Sequence, residues 1–367
     1  MSLQGISHSL RKIFGHLDGT LLVLVCALLL ISASTVFSAS GQSMPRLTGH
    51  LINMALALGV MIVMANIPPH ILARSGPLLY TVGVVLLVAV ALFGEVRNGS
   101  RRWLDLGFAF QPSELLKLAL PLMLAWYFQR NETVLGWRHH AMGGLLLMVP
   151  FVLILRQPDL GTAILIGASG FYLLFFAGLS WKIIVGGITV VLASLPLVWN
   201  LMHGYQRQRV MTLLDPGSDP LGAGYHIIQS TIAIGSGGLL GDGWMRGTQN
   251  QLDFIPERTT DFVFAVFGEE FGYLGVIVLL LLYMGITARG LVIAARAPTL
   301  FGRLMAGTIS LNFFTYVFVN MGMVSGVLPV VGVPLPLMSY GGTAMITLLL
   351  GLGIIMSVAT HRQLNKS

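Results

Sequence analysis

The chain has 367 residues, 55% of them hydrophobic and only 10% charged, with a mean hydropathy of +0.82. A water-soluble chain carries about 25% charged residues, so soluble multidomain architectures are excluded. One cysteine, Cys26, excludes an intramolecular disulfide, and the net charge of +7 has to be explained by where the charges lie.

Apolar runs recur along the chain, each long enough to cross a hydrocarbon core of roughly 30 Å. They predict an all-α polytopic integral membrane protein, a single membrane domain over residues 1–367. Ten transmembrane helices are expected at about 18–38, 48–66, 77–93, 112–129, 141–156, 160–178, 183–202, 262–288, 304–326 and 340–360. The first run follows Arg11 and Lys12 and contains Ser32-Ala33-Ser34, as a signal peptide would, but it continues to Ser38 and reads as a retained helix. Cys26 lies within it and faces lipid or another helix. The 44 glycines suit close helix packing in lipid. A long polar interruption, 203–261, separates the seventh span from the eighth.

Lysine and arginine in short loops set the orientation. With both termini inside, eleven fall on the inner side and five on the outer. The termini are therefore expected in the cytoplasm and the 203–261 loop outside it. Of the 14 acidic residues, only Asp18 and Glu132 then lie inside. The positive charge thus faces an anionic cytoplasmic leaflet, and no nucleic-acid partner is expected.

The outer side holds the candidate chemistry. Glu114 and Lys117, three apart, share one face near the outer end of the fourth span. Asp159 follows Gln157-Pro158 in the turn between the fifth and sixth spans, and Asp261 closes the long loop at the start of the eighth. Glu269 and Glu270 lie further in. Charges in lipid normally face a cavity or a partner. A purely structural Glu114–Lys117 pair and a helix-capping Asp261 are the alternatives to catalytic roles. Arg97, Arg101, Arg102 and Trp103 read either as an anion and sugar surface or as interfacial anchors. The segment Ala223–Ile234 is apolar on one side and too short to span, so it lies in the interface or dips against protein. Gly235 to Gly243 lacks the ending of a phosphate loop and reads as a flexible turn. Nine histidines show no zinc spacing, while an oxygen-ligand site for magnesium or manganese stays open.

Five ordered motifs carry a resemblance: Glu114-Leu115-Leu116-Lys117, Gln157-Pro158-Asp159-Leu160-Gly161-Thr162, Ile234-Gly235-Ser236-Gly237-Gly238, Pro256-Glu257 with Thr260-Asp261-Phe262, and Ser339-Tyr340-Gly341-Gly342. Together they resemble the SEDS family (shape, elongation, division and sporulation) along essentially the whole chain. Gly222 to His226 and Gly243 to Gln249 are more similar to its rod-shape branch than to its division branch. The resemblance implies the SEDS-type fold and a peptidoglycan glycosyltransferase of the bacterial inner membrane. Such an enzyme polymerises lipid II into glycan strands and releases undecaprenyl diphosphate. It also implies a class B penicillin-binding protein as partner, a divalent cation (magnesium or manganese) and no organic cofactor.

In the family, activity depends on the aspartate matching Asp261. Glu114, Lys117 and Asp159 match further implicated positions, with Thr260 and Ser339 in supporting motifs. Glu114 and Asp159 are the candidate metal ligands. Many members carry His where this chain has Thr259, so a role for that imidazole is in doubt here.

Diphosphate leaves as a stable anion, so one base on the acceptor hydroxyl suffices, unlike the two carboxylates of glycoside hydrolysis. Asp261 is the expected base, with inversion at the donor sugar. Lys117, Arg101, Arg102 or a cation would neutralise the diphosphate. A lipid-linked sugar flippase is the alternative function and a docking scaffold the third. Ionisable residues gathered at one face favour the enzyme.

Overall fold

The computed structural model describes residues 15–97, 100–105, 109–157, 159–202, 204–219 and 222–361. The chain is a helical, multi-pass membrane protein. Its long helices are α1 (Gly19–Ala39), α2 (Met44–Ala65), α3 (Pro69–Phe93), α4 (Pro112–Arg130), α5 (Trp137–Leu155), α6 (Leu160–Phe176), α7 (Trp181–Leu201), α11 (Val263–Ala295), α12 (Leu300–Val324) and α13 (Gly342–Thr360). Between α7 and α11 lie α8 (Gly204–Leu214), α9 (Ala223–Ser236) and the single turn α10 (Thr248–Gln251). Seven of the helices (α1, α2, α3, α5, α11, α12 and α13) are long and apolar enough to cross a membrane. Helix α6 has 17 residues, α7 is apolar over Trp181–Leu197, and α4 carries Glu114 and Lys117.

The starts and stops follow local chemistry. Asp18 caps α1 by accepting from the Leu21 N–H at 3.0 Å, Thr299 caps α12, and prolines open α2, α3 and α4 at positions where no helical N–H is needed. Helix α12 is the most enclosed, packing against α6, α11 and α4. Helices α2 and α13 pack extensively on each other, as do α3 and α4. The α3–α4 approach needs Gly76, where an added Cβ would stand 2.7 Å from the Leu122 carbonyl oxygen. Cys26 is exposed on α1, so it faces lipid. Helix α7 is exposed over most of its length.

Two features depart from the sequence reading. The segment before α4 is extended: β1 (Glu95–Arg97), β2 (Ser100–Asp105) and β3 (Ala109–Phe110) form a small antiparallel meander. It is too polar to span, and pairing satisfies its backbone. The glycine-rich stretch is not a flexible turn either. Helix α11 breaks at Gly272 (φ 62°), and the glycine segment repairs the break. Tyr273 and Leu274 donate their freed N–H groups to Gly238 and Leu239, at 2.9 and 3.1 Å, while Asp242 and Gly243 donate to the freed carbonyls of Glu269 and Glu270, both at 3.1 Å. Backbone polar groups at membrane depth must be satisfied by protein, and this exchange does so. Helix α9 leads into the segment and packs against α11 and α12. Buried Ile227 and Ala233 lie on α9, and Ser230 donates to the Val324 carbonyl at 2.8 Å. Helix α9 therefore rests against protein along its buried side.

Candidate active site

Asp261 sits in a turn before α11. Its own backbone and the two residues before it are gripped by other elements. Thr259 O accepts from Tyr340 N–H at 2.8 Å, Thr260 O from the Ser339 hydroxyl at 2.6 Å, and Asp261 O from Asn320 Nδ2 at 2.9 Å. Asn320, fully buried on α12, also donates to Val333 O at 2.7 Å. The Ser339 hydroxyl accepts from Leu335 N–H at 2.8 Å. Thr260 donates its hydroxyl to the Glu257 carboxylate at 2.9 Å. These bonds fix the turn and leave the Asp261 carboxylate unused. The N-cap of α11 is Phe262, and no hydrogen bond to the Asp261 carboxylate is found among the described residues. Asp261 is therefore not the helix cap that the sequence allowed. Burial, and then the nearby Glu257 charge, raise its carboxyl from 3.8 to about 6, a value suited to a base near neutral pH.

The second centre lies one turn along α12. Tyr316, four residues before Asn320, stands about 6 Å along the helix axis from it. The Lys117 ammonium lies 5.4 Å from the Tyr316 ring centroid and 2.6 Å from Glu114 Oε1. Lys117 is 6% exposed and Glu114 Oε2 is buried without a partner. Asp159 caps α6 through Thr162 N–H (3.1 Å) and accepts from the Thr162 hydroxyl (3.0 Å) and Gln111 Nε2 (3.3 Å). Arg102 approaches it at 3.7 Å. The segment 331–333 bridges the centres: Gly332 stands against Asp261 Oδ2, and the Val331 carbonyl against Gly161, two residues from Asp159.

The structure thus places Asp261 and Thr260 in one turn, with Ser339 bonded to it, and Glu114, Lys117, Asp159 and Arg102 beside it. Trp103 is half-buried on β2 opposite Glu95 and is not among the residues that grip the turn. The Arg101 side chain lies outside the described residues. Asn320, Tyr316 and Gly332 were missed by the sequence reading. The signal was the polar content of this span, where Thr308, Ser310, Asn312 and Thr315 precede Tyr316 and Asn320. His226 was singled out only as part of a motif, yet its ring stands 5.5 Å from that of Phe262 with Nδ1 unpartnered. Burial lowers its imidazole below 6.5, opposed by Glu257. The proposed metal pair is unequal, because Asp159 is committed to its cap and neighbours and only Glu114 keeps a free oxygen. Among the described residues no cluster of three metal-ligating side chains exists. This donor set does not form a closed cage. It fits an ion that takes most of its ligands from water and phosphate, as magnesium commonly does.

From Glu114 an apolar groove of about 550 Å³ runs between α3, α4 and α13, past Leu79, Leu118, Ile346 and Leu350 to Ile71. An apolar channel ending at a charged cluster suits a lipid-linked polar substrate.

The FtsW/RodA/SpoVE family of cell cycle proteins matches residues 16–364, nearly the whole chain. The chain belongs to the FtsW/RodA/SpoVE family. Relatives of this family include peptidoglycan glycosyltransferase MrdB of Escherichia coli K12, 54% identical over 351 residues that cover 95% of each chain. MrdB of Helicobacter pylori is 33% identical, covering 96% of this chain and 92% of that one. A family structure described as a peptidoglycan synthase complex that coordinates polymerization and crosslinking matches with a TM-score of 0.81 at 35% identity, over 94% of this chain and 97% of that chain. The rod shape determining protein RodA of Thermus thermophilus matches with a TM-score of 0.71 at 30% identity, over 95% and 98%.

Proposed function

We infer that this chain is a peptidoglycan glycosyltransferase that polymerises lipid II into glycan strands during cell-wall elongation. The observation that carries the reading is the uncapped, partly buried Asp261 carboxylate held by three backbone anchors, beside a cluster of paired charges at the end of an apolar groove. Ten helices cross the inner membrane, with both termini cytoplasmic and the Asp261 turn outside. A class B penicillin-binding protein is the partner, in keeping with the coupled polymerization and crosslinking of the related synthase complex.

Asp261 takes the proton of the acceptor sugar hydroxyl as that oxygen attacks the donor anomeric carbon. The carbon–oxygen bond to the diphosphate breaks on the opposite face, so the configuration inverts. Lys117 and Arg102 supply positive charge for the leaving diphosphate. Glu114, through its free oxygen, with Asp159 behind it, would hold a magnesium or manganese ion whose charge adds to that neutralisation. The groove holds the polyprenyl tail.

The test is polymerisation of fluorescent lipid II by the purified protein with its transpeptidase partner, with and without magnesium or manganese. Wild type is expected to give long glycan and Asp261→Asn almost none. No glycan from either protein, with lipid II crossing liposome membranes, would replace the enzyme by a flippase.

A further inference from the structure

A second pocket, polar and about 360 Å³ in volume, opens where the α1–α2 turn meets the segment between α9 and α11. Gln42, Met245, Asn250, Gln251, Asp253 and Arg258 line it, and Asp261 does not. Five non-glycine residues among those described adopt positive φ, and three of them belong to this pocket: Gln42 (63°), Met245 (62°) and Asp253 (58°). Such backbone is costly and clusters at ligand sites.

The floor is rigid and polar. Asn250, 2% exposed, donates Nδ2 to the Ser38 carbonyl at 3.2 Å, and its Oδ1 has no partner. Glu269 beneath accepts from the N–H groups of Gln249 and Asn250, at 2.7 and 3.2 Å. At the rim Arg258 is paired with Asp253 and donates to the Asn250 carbonyl. One guanidinium and one carboxylate balance, so the pocket does not select a diphosphate. The Gln42 amide offers donors and an acceptor, and Gln251, whose Nε2 donates to the Met245 carbonyl, offers its amide oxygen. That chemistry fits a neutral ligand rich in hydroxyl and amide groups. Arg258 lies three residues before Asp261, in the gripped turn itself.

We propose that this pocket is a second sugar subsite, which holds an N-acetylated hexose of the nascent strand while the reacting sugars sit at Asp261. The proposal rests on the polymerase reading for its ligand. A strand held here stays on the enzyme between additions, so the pocket sets strand length.

The test uses the full-length protein and a lipid-free tetrasaccharide released from peptidoglycan by muramidase. Gln42→Gly removes one amide at a φ that glycine adopts freely. Asp253→Asn removes the rim charge with a residue that tolerates the same backbone. Each is expected to weaken tetrasaccharide binding about three- to tenfold, the worth of a hydrogen bond, and to shorten strands relative to the rate of the first coupling. Wild-type binding and wild-type strand lengths in both variants would overturn the subsite. So would a wild-type protein that polymerises lipid II but does not bind the tetrasaccharide. A wild type that binds the tetrasaccharide and makes no strand would support the pocket and sink the polymerase reading instead.

Discussion

At the residue scale, Asp261 combines a fixed backbone with a free, partly buried carboxylate. Losing a general base lowers the rate about 10²–10⁴-fold, so Asp261→Asn should retain at most about a hundredth of wild-type polymerisation. The same change should stabilise the protein. Burial holds the folded carboxyl near 6 against 3.8, so the native state binds the proton more tightly than the unfolded chain. The contribution of this group to stability is then greatest below pH 4 and declines as pH rises through 6. Asp261→Asn removes that loss, worth up to about 3 kcal/mol at neutral pH, and a raised melting temperature in detergent checks it. Wild-type polymerisation should rise with pH to a plateau above about 6, and a rate profile flat down to pH 4.5 would dismiss Asp261 as the base. Lys117 and Glu114 form a largely buried pair. Breaking such a pair from one side costs about 3–5 kcal/mol. Lys117→Met should therefore melt below the double variant Glu114→Gln/Lys117→Met, while both polymerise poorly. Activity restored in the double variant would make the pair structural.

At the element scale, the break in α11 and the glycine segment that repairs it form one unit. An added Cβ at Gly272 would collide with the Gly241 backbone and stand 2.8 Å from the Gly237 carbonyl oxygen. Gly272 holds φ 62° and ψ −165°, a region open essentially to glycine alone, so Gly272→Ala adds to that clash a backbone penalty of about 1–3 kcal/mol. It should lower the melting temperature and open the 237–243 segment to hydrogen exchange, whereas Gly59→Ala, with open space around it, should do neither. The meander before α4 had a sequence signal that was passed over. Asn98-Gly99 is a tight-hairpin dipeptide, and the strands on either side pair with Arg97 opposite Ser100.

At the scale of the whole molecule, two faces are tied in different ways. On the side of the termini, Arg289 of α11 binds Asp18 through two bonds of 3.0 and 2.6 Å, and the rings of His16 and His361 stack at 4.2 Å. The guanidinium bonds lower the Asp18 carboxyl below 3.8, against burial. This contribution is present above pH 4 and is lost as pH falls through the lowered value. Arg289→Met should therefore lower the melting temperature at pH 7, by an amount that shrinks as pH falls below 4. On the opposite side the links converge on the Asp261 turn, from α12 and from the segment before α13.

Hydropathy located the long apolar helices, because a bilayer demands apolar runs of a minimum length, but it began α3 at 77 and ended α11 at 288, where the helices run from Pro69 and to Ala295. The motif residues marked Asp261, Glu114, Lys117 and Asp159. Their arrangement was not legible. Asp159 proved to be a cap with full partners, and Glu114 alone kept a free oxygen. Asn320 and Tyr316 joined the two centres from α12, whose several polar residues do not show in sequence which neighbours they meet. The alphabet of the sequence determined which segments enter lipid, since transfer free energy is local and additive. Tertiary structure alone decided which buried oxygens are satisfied and which are left for a substrate, since a hydrogen bond depends on the positions of two groups that the chain order does not specify.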